Sequence, residues 1–224
     1  MRKIDVIRSK TELVYAALHN AILQSELKPG SRLVIDDLAL ELGVSQIPVR
    51  EAMRQLEMDG FITFQPYIGA TVTEIKASSV SEIFNLLEAM ETMSGRAACQ
   101  RMNDDDFQVL EQLLRQMDTL INDPAGWSRE NVHFHQLVCD WADMPLVRQM
   151  MDKTLQHWDR LRSYYLKDVF AFRIAAAQRE HWRIFEAMRS RDLEVLEKVV
   201  HDHNQAALVA YLQHLQSTSQ IERD

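Results

Sequence analysis

Sequence able to form a β-hairpin occurs at one place in this chain. Phe61-Ile-Thr-Phe64 and Ala70-Thr-Val-Thr73 are rich in β-branched and aromatic residues and flank the turn segment Gln65-Pro-Tyr-Ile-Gly69. From Thr73 to residue 224 no further strand signal appears, and apolar residues recur at helical spacing. One isolated hairpin cannot build a sandwich, a barrel or a doubly wound sheet. The fold class is therefore mainly α, with a small β element confined to the first third.

The segments around the hairpin have a definite order. Residues 10–24 read as a helix with Leu13, Ala17 and Ile22 on one buried side, closed by the turn Leu27-Lys-Pro-Gly30. A short helix over 36–42 leads to Gly43-Val-Ser45, where Ser45 suits an N-cap and Pro48 the first turn of the next helix. That helix runs to about residue 59, buries Val49, Ala52, Met53 and Leu56, and stops at Gly60. Helix, helix, turn, helix, hairpin is the order of a winged helix-turn-helix, assigned to residues 1–76. Residues 77–224 read as an all-helical bundle of about six helices: 78–101, 103–121, 128–142, 146–166, 169–190 and 192–215. Asp123-Pro-Ala-Gly126 and Met144-Pro145 are read as breaks between them.

Composition bounds the function classes. The chain is 46% hydrophobic and 26% charged, with two cysteines, Cys99 and Cys139. Two cysteines make no disulfide framework. No run of 18 apolar residues suggests a membrane span, and no apolar block follows the first residues, so a cytoplasmic location is expected. The net charge of −8 is uneven. Residues 1–76 hold nine Lys and Arg against ten Asp and Glu, and the remainder sixteen against twenty-three. Nucleic-acid binding needs a local basic face rather than a basic protein, so this charge permits a DNA partner.

The helix after Ser45 carries Gln46, Arg50 and Arg54 away from its apolar face. Arg50 and Arg54 are four residues apart, and such a like-charge pair costs an isolated helix about 0.2–0.5 kcal/mol. An anionic partner offsets that cost, and Arg is shaped to read guanine in the major groove. A solvated face, with Arg50 paired to Glu57 or Asp59, is the alternative. Three stretches, Lys28-Pro-Gly-Ser-Arg-Leu33, Asp37-Leu-Ala-Leu-Glu-Leu-Gly-Val-Ser45 and Pro48-Val-Arg-Glu-Ala-Met-Arg-Gln-Leu-Glu-Met-Asp-Gly60, resemble the GntR family of bacterial transcription regulators, and Gly69-Ala70 resembles its wing. The resemblance covers about residues 10–75. It implies a homodimer on a pseudo-palindromic double-stranded operator, with Arg50 on a base, Arg54 on phosphates and the wing at Gly69 near the minor groove. The chain departs from the family at Gln46-Ile47, where Arg-Thr is common, and at Ile68, where Arg is common. Gln46 can read adenine instead.

Eight histidines are distributed along the chain, and helical phase sorts them. His135, His181 and His203 fall on the apolar stripes of three different helices, while His133 and His201 point outward. A buried imidazole needs hydrogen-bond partners, and a shared divalent cation supplies one. Separately satisfied core histidines are the alternative. Asn131-Val-His-Phe-His135, Glu180-His-Trp-Arg-Ile-Phe-Glu-Ala-Met188 with Asp192, and His203 resemble the FCD effector domain of the FadR branch of GntR regulators, over about residues 78–215. That resemblance implies a divalent metal held by an Asp and three His, with a small carboxylate effector over it. The His positions fall on His135, His181 and His203, and the Asp position on Asn131, whose neutral oxygen lowers the expected affinity. Zinc or nickel suits this donor set. Leu87 stands where many members place an effector-gripping Arg. His157, Arg160 and Tyr164 are the replacements the sequence offers, although His157 and Tyr164 share a phase with Leu146, Met150 and Leu161 and are equally readable as core.

The function expected is thus a ligand-responsive, non-enzymatic transcription regulator. The alternative is a ligand-independent dimeric repressor with a vestigial metal site. Catalysis finds no nucleophile elbow, phosphate loop or Cys-His signature. The lone Glu130-Asn-Val-His133 lacks the second Glu-x-x-His that a di-iron bundle needs.

Overall fold

A computed structural model describes residues 9–65, 69–74 and 76–221. It divides into two compact units, Met1–Ile75 and Lys76–Asp224.

The first unit is built on α1 (Lys10–Leu23), α2 (Ile35–Leu42) and α3 (Gln46–Met58), with β1 (Arg32–Leu33), β2 (Ile62–Gln65) and β3 (Gly69–Val72). Ser9 and Glu12 start α1 as a reciprocal capping box. Its buried side is Val14, Leu18 and Ile22, whereas Leu13 is exposed, so the helix is turned by about one residue from the face read off the sequence. These side chains pack on Val49, Ala52, Met53 and Leu56 of α3, all of them fully buried. Each such aliphatic side chain contributes about 1.5–3 kcal/mol through burial. Between α2 and α3, Gly43 adopts a left-handed conformation at φ 64° and donates its N–H to Ala39 and Leu40. That conformation suits glycine and sets the turn that aims α3. Ser45 occupies the N-cap position of α3 without a side-chain cap bond.

The sheet has the order β1-β3-β2, all antiparallel, with Phe64 opposite Ala70 and Leu33 opposite Ala70 on the other side. β1 is an addition to the sequence reading, since two residues carry no periodic signal. Ile68 and the turn before Gly69 lie outside the described residues.

The second unit is helical throughout its described residues: α4 (Ala77–Arg101), α5 (Asp104–Thr119), α6 (Pro124–Ala142), α7 (Pro145–Tyr165), α8 (Lys167–Ser190) and α9 (Leu193–Ile221). α4 runs through its middle, touching α6, α7, α8 and α9. Asn103 and Asp106 form a capping box for α5, as the acidic stretch suggests. Asp123-Pro-Ala-Gly126 is the start of α6 rather than a break. Asp123 is the N-cap and accepts from the Gly126 N–H at 3.0 Å, and Pro124 sits at the first helical position. A Cβ at Gly126 would stand 2.3 Å from the Asp123 carboxylate, so glycine is what leaves room for this cap. α7 turns a different side inward from the one expected. Met151, Thr154, Leu155, Trp158 and Leu161 are buried, while Leu146, Met150 and Tyr164 are exposed.

Candidate functional site

The polar side of α3 faces away from its buried row. Gln46, Arg50 and Arg54 are exposed there, opposite the buried row that packs on α1. Among the described residues neither arginine makes an ion pair. Asp59 instead accepts the Tyr15 hydroxyl at 2.8 Å, and Glu57 accepts the Phe64 backbone N–H. Gln46 donates from Nε2 to Asp36 of α2 at 2.6 Å. Gly69 opens β3, exposed and at φ 95°. Two exposed cations on one helix face can meet a phosphate backbone.

Three helices of the second unit deliver imidazoles to one centre. His135 comes from α6, His181 from α8 and His203 from α9, all buried, with one ring nitrogen of each within 4.8 Å of the other two. His181 is fully buried between two aromatic planes, Phe134 at 4.6 Å and Trp127 at 5.6 Å between ring centroids. Among the described residues, neither of its ring nitrogens has a hydrogen-bond partner. Burial holds its pKa well below the ordinary histidine value, and the nearby His203, His135 and Arg173 push the same way. The ring is therefore neutral, the form that binds a cation.

Two buried glutamates stand behind the other imidazoles. Glu91 of α4 lies 3.0 Å from His135 Nδ1 and also accepts from Asn204 Nδ2 at 2.7 Å. Glu180 of α8 lies 2.8 Å from His203 Nδ1 and takes both Nη atoms of Arg173, at 3.2 and 2.6 Å. Burial alone would raise both carboxyl groups. For Glu91 the neighbouring His135, His203 and Asn204 outweigh it, and for Glu180 His203 and Arg173 do. Both therefore remain carboxylates, which only accept, so Nδ1 of His135 and of His203 donates to them. In the neutral imidazole this is the tautomer whose Nε2 keeps a lone pair.

A cavity of about 40 Å³ opens beside this cluster. Asn131, His135, His203, Glu91, Arg173 and Asn204 supply the polar part of its wall, and Phe84, Leu87, Trp158, Phe170 and Tyr211 much of the rest. Asn131 is buried one turn before His135 on α6 and shares that wall. His157, Arg160 and Tyr164 are not in it. Arg160 is buried elsewhere, its pKa brought down to about 10 by burial, His157 is half-buried and Tyr164 exposed. The cation in the wall is Arg173, two turns before Glu180 on α8. Glu91, Glu180, Arg173 and Asn204 are site residues that the sequence reading did not select. Glu91 had a legible signal: it lies one turn after Leu87 and shares its inward phase on α4. His133 and His201 point outward as expected, each beside an acidic neighbour, Glu130 and Glu88.

Residues 10–72 match the family described as bacterial regulatory proteins, gntR family, and residues 82–206 match the FCD domain. The chain is 28% identical over 194 residues to the HTH-type transcriptional regulator YdhC of Bacillus subtilis (strain 168), covering 84% of this chain and 85% of that protein. It is 27% identical over 194 residues to the HTH-type transcriptional repressor RspR of Escherichia coli (strain K12), covering 86% and 84%. Its fold is similar to that of McbR/YncC of E. coli, with a TM-score of 0.74 at 22% identity over 93% of this chain and 100% of that one. It is also similar to a putative GntR regulator from Rhodococcus sp. RHA1, at a TM-score of 0.73 and 20% identity over 91% and 98%. The two matched segments together span both structural units. The chain therefore belongs to the GntR family of bacterial transcription regulators, in the FadR-type branch that joins a DNA-binding helix-turn-helix to an FCD domain.

Proposed function

We propose that this DNA-binding regulator changes its operator affinity in response to a small carboxylate-bearing metabolite, taken up at a divalent metal ion in the helical unit. His135, His181 and His203 hold the ion, Asn131 adds a neutral oxygen, and zinc or nickel matches the imidazole set. The observation that carries this reading is His181. Leaving a buried polar atom unsatisfied costs about 1–3 kcal/mol. A fully buried ring with two such atoms, facing two other imidazoles, calls for a ligand that none of the described residues supplies.

The surrounding residues fit the ion. Glu91 and Glu180 accept from Nδ1 of His135 and His203 and so orient both rings; Arg173 balances the Glu180 charge, and Glu91 supplies the negative charge that offsets the one lost with Asn131. When bound, the ion supplies a Lewis-acidic position for an anionic group. Arg173, in the cavity wall and paired with Glu180, is the guanidinium group the site presents where Leu87 offers none. Phe84, Trp158 and Tyr211 exclude water from the apolar part of the ligand. Such a ligand alters operator affinity only by the difference in its binding to two arrangements of the protein. The reading includes a homodimer on a pseudo-palindromic operator, with Arg50 at a base edge and Arg54 and the Gly69 wing at the backbone.

The test is operator affinity, by fluorescence anisotropy, for protein loaded with zinc or nickel and titrated with small mono- and dicarboxylic acids. A shift of about fivefold or more with at least one acid is expected. No shift with any of them contradicts the effector reading. A ligand-independent dimeric repressor is the second reading. The observation that favours it is the size of the cavity, which has room for about three waters.

A further inference from the structure

The N-terminal turn of α3 holds an arrangement that neither the metal centre nor the two arginines account for. Ile47 is 70% exposed on the same polar side as Arg50 and Arg54. One exposed aliphatic residue is ordinary on a protein surface. This one stands beside a side chain whose pose is fixed. The Gln46 amide meets the Asp36 carboxylate at 2.6 Å, and a carboxylate only accepts, so the group facing it is the NH₂. One N–H of that NH₂ is thereby used. The other N–H and the carbonyl oxygen remain, one donor and one acceptor in a plane.

That pair is what adenine asks for in the major groove, where its N7 accepts and its N6 amino group donates. Isoleucine suits the one apolar group on a major-groove edge, the thymine methyl. Recognition helices place their first residues on base edges. Adjacent helical residues point about 100° apart, so the two contacts fall on neighbouring base pairs. We propose that Ile47 contacts a thymine methyl and that Gln46, with Asp36 as its positioning residue, reads an adjacent adenine, making the N-terminus of α3 an A·T-reading element. The inference rests on the DNA-binding reading alone and is independent of the metal centre.

The full-length chain is used to select bound duplexes from a random pool. Each thymine of the enriched half-site is then replaced in turn by deoxyuridine, which keeps the pairing and removes only the methyl. One replacement per half-site weakens wild-type binding about fourfold, the value of one buried methyl group, and has no effect on Ile47→Ala. In Asp36→Ala the preference for adenine over guanine at the neighbouring position falls by about fivefold. Ile47 is on the surface, so in Ile47→Ala melting temperature and non-specific DNA affinity stay at wild-type values. Asp36→Ala also removes a charge from the first turn of α2, so it is read by the ratio of adenine to guanine affinity, which a uniform change in binding leaves unaltered. An operator in which no thymine is sensitive to deoxyuridine overturns the inference, as does equal sensitivity in Ile47→Ala. A selection that enriches no sequence overturns base reading by α3 as a whole, while leaving the metal centre to its own test.

Discussion

His181 separates a structural core histidine from a metal ligand by energetics as well as by position. With metal absent, its two unsatisfied nitrogens are a liability, and an apolar side chain of similar bulk removes it. His181→Leu is therefore expected to leave the metal-free protein as stable as wild type or up to about 1 kcal/mol more stable. The same variant loses bound metal and the stability that metal confers. Urea denaturation with and without zinc checks both halves, and equal zinc stabilisation of variant and wild type would refute the assignment. The three histidines were legible in the sequence because helical phase is a strong signal along α6, α8 and α9. Glu91 and Glu180 were passed over because acidic side chains at inward positions are usually solvated neighbours, and only tertiary placement shows their imidazole partners. The reading of α7 failed for another reason. Its sequence offers two overlapping apolar stripes that share Leu161, and the stripe carrying Trp158 wins because it buries more surface.

Helix ends and inter-helix hydrogen bonds decide how firmly the elements hold those residues. In α6, which carries Asn131 and His135, Asp123→Ala removes the carboxylate that accepts the Gly126 N–H. Loss of an N-cap costs about 1 kcal/mol. Chemical denaturation of the variant is expected to show that loss, together with weaker metal retention, and an unchanged midpoint would show that the cap contributes nothing. In the first unit, Tyr15 of α1 donates to Asp59 just past α3, and burial together with this carboxylate raises its pKa above the ordinary tyrosine value. A raised folded-state pKa gives stability that is complete below pH 10 and fades as pH rises above it. Tyr15→Phe is expected to be about 1.5 kcal/mol less stable at pH 7. The gap should narrow between pH 10 and 12, and a gap that widened there would reverse the assigned sign. The Asp123-Pro-Ala-Gly126 stretch was misread because helix-starting and helix-breaking residues are the same residue types. Which role they play depends on whether Asp123 finds the Gly126 N–H.

For the whole molecule, the uneven charge has a consequence. Its first 76 residues are nearly neutral and the rest carries most of the net −8, so the protein's overall field does not favour DNA. Arg54→Ala is expected to reduce the slope of log affinity against log salt by about 1 with little change in sequence preference. Arg50→Ala is expected to relax the preference at one base pair. The order of elements and the two-unit plan were legible because one isolated hairpin within a helical chain leaves few architectures. The carboxylate shell and the cavity were not, because they exist only where α4, α6, α8 and α9 meet.

The central claim is that this regulator's helical unit is a metal centre. Metal content by mass spectrometry of untagged protein, purified without chelators, reconstituted with zinc and then desalted, tests it directly. The account predicts close to one zinc per wild-type chain and almost none in His181→Leu. Wild-type protein that emerges metal-free, or a variant that retains its zinc, would contradict it.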